Sequence, residues 1–335
     1  METDSLQLKH YGCTSPVFVR EALESLCDST SRCSTPSFGL DPATNHCWLF
    51  ISRQVYVWNF KSWKNSCDGL PLPQTGLKYT ADLFATFSPR TKPNVISFLC
   101  VSPEGNLRLW RKHDNPSDYV DFNVDLGGQV AEIIRKINDQ DAFLLVTSTC
   151  NVFLLKISPE SSKLLSVIAF KSGQDAMTSF SRRFSSFLFS APTTTNDSKL
   201  CGFVTITDKF DNNLCLSIVL TSKSLLCWQL SFSNNEYKLL WEYDMDKIII
   251  NQAIKNIWSL NDPQATSRFR MSVSYTFLDC EYYDGEIYVL IALTNRSYSP
   301  DIHHVLCSFA DLHAQPAKPE KLIRLNKIDE VRSCS

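Results

Sequence analysis

The sequence predicts an all-β protein, because pairs of short apolar segments recur along its 335 residues. The segments are rich in Val, Ile, Leu, Phe and Trp and have the length of a β-strand. A short break containing Ser, Asn, Thr or Lys usually separates the two segments of a pair, so we expect each pair to form a β-hairpin. Five such pairs occur, at 46–60, 95–112, 142–158, 215–231 and, more weakly, 287–311.

The spacing of these hairpins favours a β-propeller of about five blades. A bulky residue recurs near the end of each second segment, and we interpret four of these residues as blade-core positions: Trp58, Trp110, Leu155 and Trp228. The first three lie at the spacing of propeller blades of about 40–50 residues, and the larger later gaps predict blades with insertions. Blades packed side by side bury both faces of such strands. A β-sandwich of the same hairpins is the alternative, which the long period and the recurring Trp make weaker.

The predicted elements outside the hairpins are few. Apolar residues within 16–27 have the spacing of one helix face, and 246–260 predicts a helix in its second half; both would be short connectors. Residues 1–15 are polar, so we expect a disordered N-terminus without a signal peptide. We place the propeller at 16–311 and expect 312–335 to form a polar tail or an unfinished blade.

Within the propeller, residues 171–199 predict an exposed loop insertion that contains an amphipathic helix. At about 100° per residue, one arc of this helix is apolar and carries Met177, Phe180, Phe184, Phe187 and Leu188. The polar face carries Ser179, Arg182, Arg183, Ser185 and Ser186. Ser and Phe are indifferent helix formers, so we expect folding only against an apolar acceptor, such as gaps between the headgroups of a curved membrane. The alternative is a loop helix whose phenylalanines pack into the side of the propeller.

The motifs of common catalytic and nucleotide-binding sites are missing from the sequence. Its ten glycines form neither GxGxxG nor GxxxxGK[ST], the loops that let a backbone approach phosphates. The patterns GxSxG, HExxH, SxxK and HRD are missing as well. We therefore expect no enzymatic activity and no cofactor.

The balance of charges and the positions of the cysteines indicate which binding partners and which cellular compartment to expect. Lys and Arg number 33 against 35 Asp and Glu, so we expect no specific nucleic-acid binding. The thirteen cysteines form no CxxC pair and lie mostly in apolar runs, which predicts buried thiols in the cytosol or nucleus. His303, His304 and Cys307 lack the usual zinc-ligand spacing and fall within a predicted strand, so we expect no metal site. No apolar run reaches the about 18 residues of a membrane-spanning helix.

Eight segments together resemble a known family in their order along the chain. They are VREALESL at 19–26, GLKYTADLFATFS at 76–88, SPEGNLRLW at 102–110, ISPESSKLLSVI at 157–168, SGQDAMTSFSRRFSSFLFS at 172–190, LTSKSLLCWQLS at 220–231, and WEYDM with IKNIWSL within 241–260. Over roughly residues 16–310 the sequence resembles the N-terminal β-propeller of the nucleoporin 133/155 family, part of the Y-shaped outer ring of the nuclear pore.

The resemblance implies a seven-bladed propeller, of which about five blades are expected here. It implies a structural nucleoporin at the nuclear envelope that supports mRNA export and protein import, with other outer-ring nucleoporins and curved membrane as partners. It also implies that the loop at 177–190 is a curvature-sensing helix, with Arg182 and Arg183 at the family's basic pair. The alternative function is a soluble propeller adaptor that binds peptides or proteins and has no membrane role.

Overall fold

The computed structural model of the chain shows five four-stranded sheets. It describes residues 16–28, 36–51, 53–62, 67–112, 115–137, 141–158, 163–170, 199–207, 213–233, 236–256, 272–295, 299–309 and 322–324. Within these ranges there are twenty strands, and the strands of every sheet lie side by side in chain order. A meander of four strands repeated in this way is the blade arrangement of a β-propeller, so the predicted fold class is confirmed.

The strands of the first two blades are antiparallel to their neighbours. Blade 1 consists of β1 (Ser37–Asp41), β2 (His46–Ile51), β3 (Gln54–Asn59) and β4 (Cys67–Pro71). Blade 2 consists of β5 (Phe84–Phe87), β6 (Ser97–Val101), β7 (Asn106–Trp110) and β8 (Tyr119–Asn123), and a 3-10 turn (Ala81–Leu83) precedes it. Blade 3 consists of β9 (Ala131–Lys136), β10 (Ala142–Thr147), β11 (Val152–Ser158) and β12 (Lys163–Phe170).

The last two blades have longer strands, again antiparallel. Blade 4 consists of β13 (Leu200–Thr207), β14 (Leu214–Thr221), β15 (Ser224–Ser231) and β16 (Glu236–Asp244). Blade 5 consists of β17 (Val273–Tyr283), β18 (Glu286–Asn295), β19 (Ser299–Phe309) and β20 (Leu322–Arg324). The short β20 lies in the segment for which we expected a polar tail or an unfinished blade, and it pairs with β19 at Val305–Cys307.

The five predicted hairpins are the two central strands of the five blades. The second strands β2, β6 and β10 are apolar on both faces and are buried along their whole length. The fourth strand β8 is more polar, and its exposed and half-buried residues alternate. Burial on both faces therefore explains the continuous apolar runs of β2, β6 and β10.

Two helices connect these elements in the described part of the chain. The first, α1 (Val17–Asp28), lies where the helical spacing predicts it, and Val19 packs with Leu49 and Ile51 of blade 1. The second, α2 (Met245–Asn256), begins earlier than predicted. The run Ile248–Ile250 is β-branched and disfavours a helix by propensity, but burial of one helix face overrides that preference. Neither described helix is long and apolar enough to cross a membrane.

The chain divides into two compact units. The first unit contains residues 1–146 and 154–167, and the second contains 147–153 and 168–335. Blades 1 and 2 and most of blade 3 belong to the first unit, and blades 4 and 5 belong to the second. Each unit has its own buried core, and the two cores differ in composition.

Candidate functional site

The predicted membrane-contacting segment lies outside the described residues. Met177, Phe180, Phe184, Phe187 and Leu188 fall there, as do Ser179, Arg182, Arg183, Ser185 and Ser186 of the predicted polar face. The described chain stops at Phe170, the end of β12, and resumes at Lys199, one residue before β13. The segment thus connects the last strand of blade 3 to the first strand of blade 4.

The four predicted blade-core positions lie in equivalent third strands of their blades. Trp110 and Leu155 are fully buried, whereas Trp58 and Trp228 are partly buried. Trp58 lies beside the α1 cluster, with its ring 6.1 Å from that of Phe38. Trp228 stacks on Tyr237 of the next strand at 4.2 Å, with the ring planes 8° apart. The three tryptophans therefore pack on aromatic residues of their own blades, and Leu155 is buried.

The histidine pair considered for a metal lies on β19. His303 is paired with Leu293 and His304 with Ala292 of the neighbouring strand. Successive residues of a strand point to opposite faces, so His304 faces away from His303 and from the buried Cys307. Among the described residues, no group of three or more His, Cys, Asp and Glu side chains could hold a metal ion.

A groove in the first unit is the structural candidate for a binding site. It has a volume of about 810 Å³ and lies between the turn from β2 to β3, the loop at 72–80 and the turn from β6 to β7. Its lining combines aromatic, aliphatic and charged residues: Phe50, Arg53, Leu72, Pro73, Gln74, Thr75, Gly76, Leu77, Lys78, Tyr79, Glu104 and Asn106. This volume lies in the range of about 300–1,000 Å³ that is usual for ligand pockets.

The inner wall of the groove is an aromatic pair. The rings of Phe50 and Tyr79 stack with centroids 5.5 Å apart and planes 7° apart. The hydroxyl of Tyr79 donates a hydrogen bond of 2.8 Å to the carbonyl of Pro73, which closes the loop on itself. Burial raises the pKa of Tyr79 well above its ordinary range, so this hydroxyl remains a donor at neutral pH. The wall is therefore rigid and apolar, with its polar atom already bonded.

Glu104 holds the middle of the loop. Its Oε1 accepts hydrogen bonds from the Thr75 hydroxyl at 2.6 Å and from the Gly76 amide at 3.2 Å. Desolvation acts to raise the pKa of Glu104, but these and other hydrogen bonds to the carboxylate outweigh it and lower the pKa below its ordinary value. The carboxylate is thus ionised at neutral pH and ties the loop to blade 2.

Arg108 fixes the start of the same loop. Its Nε and Nη2 each donate to a carboxylate oxygen of Asp121 at 2.7 Å, and Nη1 donates to the carbonyl of Pro71 at 2.8 Å. The guanidinium also lies 3.8 Å from the centre of the Tyr119 ring. A bidentate arginine loses little freedom per bond formed, so the contact sets the distance between the end of β4 and blade 2.

Sequence reasoning missed this groove. Pro71 and Pro73 indicate a loop, but its lining comes from turns up to 56 positions apart, from Phe50 to Asn106. Only the segment at 76–88 could have drawn attention to it, since GLKYT supplies four of the lining residues. The Thr75 hydroxyl donates to the Glu104 carboxylate and accepts from the Leu77 amide, so this pair closes the loop, and what the groove can do chemically is bind.

The family model and the most similar curated proteins agree on one family. The family model described as "Nup133 N terminal like" matches residues 5–298. The nuclear pore complex protein Nup133 of Drosophila melanogaster is 22% identical over 330 residues, which is 91% of this chain and 26% of the relative. Nup133 of Danio rerio is 25% identical over 300 residues, 87% of this chain and 25% of the relative. The chain thus spans about a quarter of the length of these relatives.

Among solved structures, the chain resembles that of the Chaetomium thermophilum Nup170 N-terminal domain in complex with Nup53. The TM-score is 0.45 at 12% identity, over 92% of this chain and 40% of that one.

Proposed function

The chain belongs to the nucleoporin family with an N-terminal domain like that of Nup133, and on this premise we propose that it is a structural scaffold component of the nuclear pore complex. The observation that carries the proposal is the family match over residues 5–298. The matched relatives are nuclear pore complex proteins, so the proposed location is the nuclear pore at the nuclear envelope. Family membership supports a non-enzymatic role.

The finer part of the proposal concerns the outer ring. We expect the chain to bind other nucleoporins of the Y-shaped complex and, through that assembly, to support mRNA export and protein import. A blade presents strand edges and loops of fixed geometry, which suits the surface of a rigid scaffold. The stiff connection of loop 72–80 to blade 2 is an example of such a fixed surface.

The scaffold role is tested in cells that express the fluorescently tagged chain. We expect a signal at the nuclear rim and recovery of outer-ring nucleoporins after cross-linking. Trp110→Asp, which places a charge at a fully buried position, is the control for dependence on the folded propeller, with protein abundance measured in parallel. The scaffold proposal would be refuted if the intact chain gave a diffuse signal at an expression level at which its tagged relatives give a signal at the nuclear rim.

The membrane part of the proposal rests on the pattern of residues 177–190. Phenylalanines on one arc and a serine-rich polar face, whose charged residues are Arg182 and Arg183, are typical of helices that insert at packing gaps of curved bilayers. Flotation with neutral phosphatidylcholine liposomes of small and large diameter tests it. We expect binding to the small liposomes only, and loss of that binding in Phe184→Asp/Phe187→Asp.

A matched variant separates insertion from charge in the same experiment. Ser185→Asp/Ser186→Asp adds the same two negative charges to the polar face and is expected to keep most of the binding to neutral liposomes. If both double variants bind as the intact chain does, or if the intact chain does not bind, the membrane role is wrong. The scaffold role would survive that result, because its test does not involve lipid.

A further inference from the structure

The second strand of blade 5 is fully buried on one face only. In the second strands β2, β6 and β10 every residue is buried, and β14 is buried from Cys215 to Thr221. In β18, by contrast, half-buried and buried residues alternate from Glu286 to Asn295. Because successive residues of a strand point to opposite faces, blade 5 has one covered face and one half-exposed face.

The register of the strands identifies the residues of this half-exposed face. Directly paired residues of an antiparallel sheet lie on the same face. Three pairs of β17 and β18 define it: Glu281 with Tyr288, Asp279 with Leu290, and Tyr283 with Glu286. We propose that the face binds an amphipathic helix of a partner protein that carries a row of lysines or arginines beside its apolar residues. The proposal depends on neither the scaffold role nor the membrane role.

The apolar part of the half-exposed face is a row along β18. Tyr288, Leu290 and Ala292 are half-buried at alternate positions, so the row is about 13 Å long. Leu306 of β19 is paired with Leu290 and widens the row. Tyr283, at the end of β17, is 72% exposed. Covering such apolar surface contributes about 25 cal/mol per Å² removed from water, so an apolar stripe of a partner gains by packing on it.

The charged part of the face is acidic. Asp279 and Glu281 are exposed on β17, and Glu286 is half-buried on β18. Neutral groups donate hydrogen bonds to them: the amides of Cys280 and Tyr282, at 2.8 and 3.1 Å, and the Tyr288 hydroxyl. Neutral donors do not cancel a charge, and none of the ion pairs between described residues involves these carboxylates.

The same face lacks cations of its own in the part of β17, β18 and β19 that the structure describes. None of the residues there that share the face is Lys or Arg, and the one histidine, His304, lies on β19, two strands from the carboxylates of β17. The hydrogen bond to Glu286 and the negative charges of Glu286 and Asp284 raise the pKa of the Tyr288 hydroxyl. Cations of a partner are therefore complementary to this face, and the exposed ring of Tyr283 can accept one of them.

A helix suits this surface better than an extended peptide. β18 is paired with β17 on one side and with β19 on the other, so its backbone groups are engaged in the sheet. A partner that lies on the face must satisfy its own backbone, as a helix does. About two and a half helical turns span the row on β18, and cations on the next side of the helix reach the carboxylates of β17, about 4.8 Å away.

A second copy of the chain is a poorer occupant. Packing two copies of the half-exposed face together would bring two sets of the same carboxylates into one interface. Such like-charge contacts are unfavourable, whereas a basic helix removes the repulsion among the carboxylates of one face.

The test is fluorescence polarisation of the intact chain with a labelled peptide of sequence KLAQKLAKLAQKLA, in which the leucines form one stripe of a helix and the lysines the adjacent stripe. We expect saturable binding that weakens with salt. Two control peptides are expected not to bind: one with Glu in place of Lys, and one of the same composition whose leucines are distributed around the helix. Binding of either control as tight as that of the first peptide, or no binding of the first peptide, would overturn the proposal.

Substitutions on and off the face locate the binding. Glu281→Lys is expected to weaken the peptide about tenfold, because it replaces an attraction with a repulsion. Glu242→Lys makes the same change at an exposed residue of β16, in blade 4, and is expected to leave the affinity unchanged.

A third variant tests the apolar contribution. Tyr283→Ser removes an exposed ring and is expected to weaken binding about threefold with an unchanged melting temperature. Equal weakening by Glu281→Lys and Glu242→Lys, or full affinity in both Glu281→Lys and Tyr283→Ser, would refute the site. The scaffold role would survive that result, because localisation at the nuclear rim tests it separately.

Discussion

In the two units, neighbouring blades contact each other through different types of side chain. In the first unit, blades 1 and 2 meet through aromatic rings: Trp48 and Phe84 lie 5.4 Å apart, and Phe84 also packs on Phe98 at 5.7 Å and on Trp110 at 6.4 Å. In the second unit, the core of blades 4 and 5 consists mainly of aliphatic side chains and cysteines, among them Ile218, Val289, Ile291 and Cys307. The same four-stranded blade is therefore compatible with two kinds of core.

The other contacts between neighbouring blades also differ between the two units. In the first unit, the indole nitrogen of Trp48 donates to the carbonyl of Ala81 at 2.9 Å, and Thr86 donates to Asp41 at 2.6 Å. In the second unit, Gly202 of β13 lies so close to Cys280 of β17 that an added Cβ would be 2.8 Å from the cysteine Cβ. Directional bonds fix the aromatic contact, whereas the aliphatic contact combines close approach at Gly202 with a hydrogen bond from the Tyr275 hydroxyl of β17 to Asp246 of α2.

The largest expected effect comes from emptying each core. Phe84 is 1% exposed and Ile291 is 0% exposed, and truncation to alanine should destabilise each unit by about 2–5 kcal/mol, with Phe84→Ala toward the upper end. Hydrogen exchange followed by mass spectrometry should show faster exchange in the first unit for Phe84→Ala and in the second for Ile291→Ala. Equal acceleration in both units by either variant would mean that the two cores form one cooperative structure.

Glycine substitutions distinguish the two kinds of contact at a smaller cost. An alanine at position 39 would place its Cβ 2.2 Å from the Trp48 ring, and one at position 202 would meet Cys280. Each should destabilise its unit by about 1–3 kcal/mol in chemical denaturation, since neither neighbour is the free end of a flexible chain.

Double variants complete this comparison. Trp48→Ala should make Gly39→Ala nearly neutral, because the clash is with the ring. Cys280→Ala should not rescue Gly202→Ala, because the close atom is the Cβ that alanine retains; only Cys280→Gly should do so. Rescue by Cys280→Ala would show that the thiol, and not the backbone approach, limits the space.

How far the sequence predicts this molecule depends on where the side chains find their partners. The hairpins are predictable because a strand buried on both faces must be apolar at successive positions, as in Phe98–Val101 of β6. The outer strands β8 and β16 alternate between exposed and less exposed residues over most of their length and resemble ordinary surface, so they give no comparable signal. Here pairing with a central strand decides the structure, and local propensity does not.

The helix α2 and the groove show two further limits. Met245, Ile249 and Ala253 are buried at successive turns, and that tertiary contact determines a helix start that propensity does not reveal. The groove depends on loop 72–80 being held against Glu104, a residue almost thirty positions away in a turn of another blade. Such contacts do not recur at a fixed spacing along the chain, so no pattern in a single sequence predicts them. The predicted membrane segment remains a prediction from its amphipathic pattern.

In alkaline solution, ionisation of the buried thiols should destabilise the second unit more than the first. Burial raises the pKa of Cys215, Cys227, Cys280 and Cys307 from 9.0 to about 12, all in the second unit. A raised pKa in the folded state favours folding below pH 9, and that contribution is lost as the pH rises from 9 toward 12, because the unfolded chain ionises first.

Each such thiol steepens the fall of the unfolding free energy by at most about 1.4 kcal/mol per pH unit. We expect hydrogen exchange, corrected for its intrinsic pH dependence, to report earlier loss of protection in the second unit than in the first as the pH is raised above 9. Cys307→Ala should make that loss shallower. Loss of protection in the first unit before the second would contradict the assignment of the excess of buried thiols to blades 4 and 5.

The smallest expected difference concerns one serine in the first strand of a blade from each unit. In β1, the Ser37 hydroxyl accepts a hydrogen bond of 2.7 Å from the amide of buried Ala81, so Ser37→Ala leaves that donor unsatisfied and should cost about 1 kcal/mol. In β17, Ser274 shares an exposed hydrogen bond of 2.6 Å with Thr294, and Ser274→Ala should cost less than about 0.5 kcal/mol, since water replaces the bond. Urea denaturation of both variants measures the two values. A larger loss for Ser274→Ala than for Ser37→Ala would mean that hydrogen bonds matter as much in the aliphatic unit as in the aromatic one.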